Sequence, residues 1–219
     1  GYIVMDRNIG AIMPYATLES DLDNAAGLLF QWGRKDPFGY GSQHSILDQQ
    51  FKTIDESIEQ PTSIAVGEYW LADDNNRLWD DTTKTIYDPC PVGWKVSNYE
   101  TWTGVKAMGS ENYYISLLDY MEQEYNYPYN MWRRSNWGNL DILSNCGEMW
   151  TTRHRYTFAY DIYQSAWYNN RCPSDSYVVR CIKDESYVDA AIPSISIDDI
   201  TNITTSSADI KCMVSKQGG

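Results

Sequence analysis

Short apolar runs, broken at close intervals by glycine, proline and acidic residues, predict strands of a few residues joined by long loops. The run Ser176-Tyr177-Val178-Val179-Arg180-Cys181-Ile182 carries the β-branched residues of a sheet core. Glu148 to Thr152 and Phe158 to Tyr163 read as two further strands, and together the three predict a small antiparallel sheet. Tyr2 to Met13 opens as a β-like apolar run and breaks at Gly10. An acidic start followed by Ala25, Leu28 and Leu29 at helical spacing predicts a helix over Asp21 to Trp32. A second is expected to start with Tyr99-Glu100-Thr101-Trp102, behind the cap candidates Ser97 and Asn98. Between them lie short helical possibilities from Leu47 to Ile58 and a strand-like turn at Gly67 to Leu71.

Punctuation divides the chain further. Gly33, Pro37, Gly39 and Gly41 crowd one loop, and the prolines of Asp88-Pro89-Cys90-Pro91-Val92-Gly93-Trp94-Lys95-Val96 fix the backbone around a cysteine ahead of a short β segment. Tyr113 to Trp137 holds eight aromatic residues and the pair Arg133-Arg134, and reads as a long aromatic loop or insertion. After Asp184 the composition shifts to Ser and Thr, with apolar and polar residues alternating from Ile192 to Ile210. The expected organisation is one α+β domain over 1–185, with two helices, small antiparallel sheets and long loops. A linker and a C-terminal β segment follow over 186–219, reading as the opening of a β-sandwich with further sandwich domains beyond it.

Charge and composition narrow the function classes. A net charge of −13 opposes binding to nucleic acid or to an anionic membrane. The charge is uneven, since 130–183 carries seven Arg and Lys against four Asp and Glu. With 18 Tyr and 9 Trp against 4 Phe, the aromatic residues are mostly of the kind that combines an apolar face with a polar tip, as ligand-holding surfaces require. The competing reading is a Tyr-rich β fold that uses these rings as half-buried struts. No run approaches the length of a membrane-spanning helix, so any export signal or lipid anchor is expected upstream.

Five cysteines suit an oxidising compartment. Pairing Cys90 with Cys181 would close a loop of about 90 residues, with Cys146–Cys172 as a second candidate bridge and Cys212 left odd; buried free thiols are the alternative. Two histidines, His44 and His154, make a zinc site improbable. Asp73-Asp74-Asn75-Asn76 with Asp80-Asp81 offers oxygens to a calcium ion but lacks the spacing of a helix-loop-helix site, and a solvated acidic loop is the preferred reading. Neither metal nor cofactor is expected.

Four ordered motifs carry a family resemblance: Met5-Asp6-Arg7-Asn8-Ile9-Gly10-Ala11, Gln31-Trp32-Gly33-Arg34-Lys35-Asp36-Pro37-Phe38, the Asp88–Val96 segment, and Val179-Arg180-Cys181-Ile182-Lys183-Asp184. From Met5 to Asp184 the chain resembles the Fibrobacter succinogenes major paralogous domain of Bacteroidetes surface proteins. That resemblance implies a C-type-lectin-like fold of the formylglycine-generating-enzyme branch, a cell-surface or outer-membrane location, and in some members a ligand-binding end of a surface protein or pilus. The tail similarly looks like the start of a fibronectin-type-III-like or immunoglobulin-like sandwich. In such folds the ligand face precedes the last strand, here Trp150 to Arg171.

That segment supplies the candidate site: Arg153, His154, Tyr156, Tyr160, Tyr163, Trp167, Tyr168 and Asn169. Rings stack on sugars or fill protein pockets while Arg and Asn add directional hydrogen bonds, so a glycan or a protein ligand is expected. The opposing reading makes alternate residues such as Phe158, Tyr160 and Ile162 one buried strand face. A purely structural pilus or surface subunit is the second hypothesis. An enzyme of the formylglycine-generating type is the third and the least favoured, because the chain shows no Ser-His-Asp order, no phosphate-cradling glycine loop and no zinc signature.

Overall fold

The structure, a computed structural model, describes residues 1–14, 22–39, 44–75, 77–102, 131–133, 140–142, 146–161, 167–187, 195–201 and 209–214. The chain divides into two compact units, Gly1–Asp184 and Glu185–Gly219.

The larger unit is α+β. Its main sheet holds β1 (Leu29–Gln31), β5 (Met131–Arg133), β6 (Leu140–Ile142), β7 (Cys146–Trp150), β8 (Tyr156–Asp161), β9 (Trp167–Asn170) and β10 (Ser176–Val179). The strand order is β6-β5-β10-β7-β8-β9, with β1 also paired to β10. Smaller pairs are β2 (Ser45–Leu47) with β3 (Ser63–Ala65), and β4 (Trp94–Val96) with β11 (Cys181–Lys183). The sequence leads to wholly antiparallel sheets, and here it is corrected: β10 runs parallel to β7, and β2 parallel to β3. The crossover arises because the chain enters β10 from the β9 edge and returns to the sheet centre, where Tyr177, Val178 and Val179 are fully buried. A central strand covered on both faces tolerates a continuous apolar run.

Helices are shorter than the sequence pattern suggests. α1 spans Leu22–Ala26 and not the whole of Asp21 to Trp32. Gly27 stops it, adopting φ +85° where an added Cβ would lie 2.7 Å from the Ile9 carbonyl oxygen. Leu28 then donates to that oxygen, and the chain continues as β1. α2 covers Ile54–Glu59, with Thr53 Oγ1 accepting from the Glu56 amide. The start of the second expected helix, Tyr99–Trp102, is a 3-10 turn capped by Asn98, whose Oδ1 accepts from the Thr101 amide at 2.9 Å, and its continuation lies outside the described residues. Gly67 to Leu71 forms no strand, pairing only through the Phe51–Leu71 bridge. The aromatic stretch Tyr113 to Trp137 lies outside the described residues except for β5.

Three of the four motifs meet at one framework. Arg180, fully buried, donates from Nε to Asn8 Oδ1 at 2.8 Å and from a terminal nitrogen to the Met5 carbonyl, while Asn8 Nδ2 donates to the Ala26 carbonyl. The Met5 amide donates to the Cys181 carbonyl and the Lys183 amide to that of Ile3, which lays the N-terminal segment along β11. On the other side of β11, Cys181 pairs with Val96 in β4 and forms a disulfide with Cys90. The buried Asp88 carboxylate organises that corner, accepting from the Cys90 amide (2.8 Å), the Val96 amide (2.9 Å) and Lys84 Nζ (2.7 Å). The flanking prolines have no amide hydrogen, so the Cys90 amide is the donor that needs this acceptor.

Gln31 and Arg34 join a second corner. The Gln31 side-chain amide donates to the Ala65 and Ser174 carbonyls, and its oxygen accepts from Arg34. Arg34, 2 % exposed, donates to the carbonyls of Ser57, Gln60 and Ser63, closing the C-terminal end of α2. Its guanidinium lies over the rings of Phe38, Phe51 and Trp70 at 5.0–5.8 Å. Burial pulls its pKa down to about 10, opposed by the charge of Asp36, so it stays a cation at neutral pH.

The smaller unit contains β12 (Ile195–Thr201) and β13 (Asp209–Val214), an antiparallel pair with a register shift between Ile197 and Asp199.

Candidate ligand face at the β7–β8 turn

The hairpin between β7 and β8 turns through Thr152 to Arg155. The Thr151 amide donates to the Tyr156 carbonyl and the Tyr156 amide to that of Arg153. Arg155 sits at φ +67°, a left-handed conformation that costs a side-chain-bearing residue on the order of 1 kcal/mol. That geometry carries its guanidinium toward the loop Gly67 to Leu71, where it donates to the Tyr69 hydroxyl at 2.6 Å and pairs with Glu68 at 3.0 Å. It also donates to Asn170 Oδ1 at 3.2 Å, tying the turn to β9.

Arg153 points differently. It is exposed, and its guanidinium carbon stands 4.3 Å from the Tyr156 ring centroid and 4.9 Å from that of Tyr99. The two rings are 6.5 Å apart at 83°, so they form a corner around it. His154 turns inward, edge-on to Trp32 at 4.6 Å, with Nε2 2.9 Å from Asp74 Oδ1. That contact is an ion-pair approach outside hydrogen-bond geometry, leaving Nε2 without a hydrogen-bond partner. Burial lowers the His154 pKa below its ordinary value, and the Asp74 carboxylate opposes the shift without cancelling it. Thr152 donates to Asp81.

Behind the hairpin lies a buried ionic group. Glu148, 2 % exposed, receives Arg171 through two hydrogen bonds of 2.7 and 2.9 Å, Asn169 Nδ2 at 3.3 Å, and the Thr157 hydroxyl. Burial alone would lower the Arg171 pKa, yet the bonds and charge of Glu148 raise it. Asn169 therefore has an internal role. The neighbouring Tyr177 hydroxyl is pushed well above the ordinary tyrosine range by burial and by Glu148.

The eight sequence-nominated residues are thus distributed unequally. Arg153, His154 and Tyr156 gather at the turn, Asn169 joins the Glu148 group, Tyr160 lies on β8, and Trp167 and Tyr168 lie on β9 opposite Ala159 and Phe158. Tyr163 lies outside the described residues, as do the side chains of Tyr160, Trp167, Tyr168 and Cys146, and with the last the second candidate disulfide. Sequence reading did not assign to the site Tyr99, on the 3-10 turn, or Tyr69 and Glu68, on the loop Gly67 to Leu71, which come to the turn from segments remote in sequence. It also missed a groove of about 330 Å³ between Arg34, Lys35, Ile54, Ile58, Trp70, Ile86 and Tyr87. There, Ile58 and Ile86 are 55 % and 75 % exposed.

In the acidic loop, Asp80 Oδ1 accepts from the amides of Thr82 and Thr83, which holds its carboxyl below the usual range, the Thr82 hydroxyl contributing most. Among the described residues no cluster of His, Cys, Asp and Glu could hold a metal, and no helix is long and apolar enough to cross a membrane. Comparison of the chain with family models, curated proteins and solved structures finds no match.

Proposed function

We propose that the larger unit is a non-catalytic, adhesin-like binding domain of a bacterial cell-surface or pilus-tip protein, taking a glycan or protein ligand on the face built around the β7–β8 turn. The finer arrangement belongs to the same reading: a C-type-lectin-like domain of the Fibrobacter-type paralogous family, held outside the cytoplasm, with a sandwich domain beginning after it. The observation that carries the proposal is Arg153, an exposed guanidinium set in a corner of two tyrosine rings. Such a corner contributes only about 0.5 to 1 kcal/mol to stability at an exposed site, little reason for the fold to hold it there. The Cys90–Cys181 disulfide supports an oxidising compartment. A formylglycine-generating activity draws no support from these two cysteines, which are joined to each other and buried.

The test is a screen of the purified domain on glycan and host-protein arrays beside a Tyr163→Ala, Trp167→Ala, Tyr168→Ala variant whose melting is checked. A target held by the wild type and lost by the folded variant is the expected result. Silence on both arrays would favour a structural subunit whose aromatic face serves assembly, and binding untouched by the substitutions would move the site away from these three residues.

A further inference from the structure

We infer that Arg153 is the docking point for the carboxylate of a terminal acidic sugar, an inference that rests on the ligand-binding reading above and names its ligand class. Among the described residues three carboxylates reach the turn, and each is engaged by a residue other than Arg153: Glu68 by Arg155, Asp74 by His154, and Asp81 by the Thr152 hydroxyl. The Arg153 guanidinium makes no hydrogen bond or ion pair among the described residues, the backbone carbonyl alone accepting from the Tyr156 amide. Among the described residues its side-chain contacts are the two ring faces, 4.9 and 4.3 Å from the guanidinium carbon. A planar fork held in place loses little side-chain freedom when a carboxylate takes it through two parallel hydrogen bonds.

Two further features select a sugar acid. Asn170 lies exposed on β9 directly opposite Tyr156, with its Oδ1 accepting from Arg155, which leaves the amide nitrogen as a donor for a hydroxyl or carbonyl on the Tyr156 side of the hairpin. The rim rings of Tyr99 and Tyr156 offer apolar edges to a pyranose. The net charge of −13 repels an extended acidic protein surface, whereas a ligand with a single terminal carboxylate meets that repulsion once.

The probes are sialyllactose and lactose, titrated into the full chain by calorimetry or ligand-observed resonance, with Arg153→Ala and Arg153→Lys beside the wild type. Sialyllactose should bind and lactose should bind at least tenfold more weakly. Arg153→Ala should weaken sialyllactose about tenfold or more, and Arg153→Lys, which keeps the charge without the fork, should fall between. Because Arg153 is exposed, both variants should melt with the wild type. Equal binding of the two sugars, or sialyllactose binding unchanged in Arg153→Ala, overturns the inference and leaves the binding-domain reading standing. Failure of both sugars to bind also overturns it, and the array screen then judges the wider reading separately.

Discussion

Replacing Asp88 by alanine should destabilise the larger unit by about 3 to 5 kcal/mol, because the carboxylate satisfies two buried amides and a partly buried ammonium at once. Its two oxygens divide the work: Oδ1 takes the Cys90 amide and Lys84 Nζ, and Oδ2 takes the Val96 amide. Cys90 is 5 % exposed and Val96 wholly buried, so water cannot replace the lost acceptor without opening the corner, and each orphaned amide costs about 1 to 3 kcal/mol. Asp88→Asn keeps one acceptor but presents an NH2 group to the other amide, and should fall between wild type and alanine. The assay is urea unfolding under non-reducing conditions, since opening the Cys90–Cys181 loop would remove on the order of 4.5 kcal/mol by itself. In a Cys90→Ala, Cys181→Ala background the Asp88→Ala cost should shrink by at least about 0.5 kcal/mol, because the carboxylate and the disulfide position the same residue. An Asp88→Ala loss below about 1 kcal/mol, or equal losses for alanine and asparagine, would refute this account of the corner.

Other consequences are equally direct. Arg34→Met should cost about 3 to 5 kcal/mol in chemical unfolding, because the carbonyls of Ser57, Gln60 and Ser63 lose their donor, and Arg34→Lys should recover only part of it. His154 has a folded pKa below its unfolded value, so its contribution to stability is complete above about pH 6.5 and is lost as the pH falls toward the folded value. The melting temperature should therefore drop between about pH 7.5 and 5.5, and His154→Gln should flatten that drop; an identical pH slope in the variant would contradict the assignment.

The framework was more legible in the sequence than the site. Buried β-branched residues announced β10, and the proline-flanked cysteine announced a fixed corner, because both signals are local. Two boundaries and one strand direction were misread for physical reasons. Leu28 and Leu29 continue the helical period of α1, but a backbone approach to Ile9, possible only at glycine, ends the helix before them. Arg180, pulled inward by Asn8 and the Met5 carbonyl, divides what reads as one strand into β10 and β11. The parallel step from β7 to β10 depends on the order in which strands reach the sheet, which residue pattern does not encode. At the site, Arg153 was nominated through the family resemblance, which places a ligand face before the last strand, while Tyr99 on the 3-10 turn and Tyr69 on a loop carry no signal of a site beyond their aromatic type. Asn169 carries the polar signature of a binding residue, yet donates to the buried Glu148.

The most direct measurement is a hydroxyl-radical side-chain footprint of the wild-type domain bound to the target it holds most strongly on the arrays. Protection of Tyr99 and Tyr156, with the groove residues Ile58, Ile86 and Tyr87 unchanged, is the predicted result. Protection confined to that groove, or none at the turn, would contradict the assignment of the β7–β8 face as the ligand site.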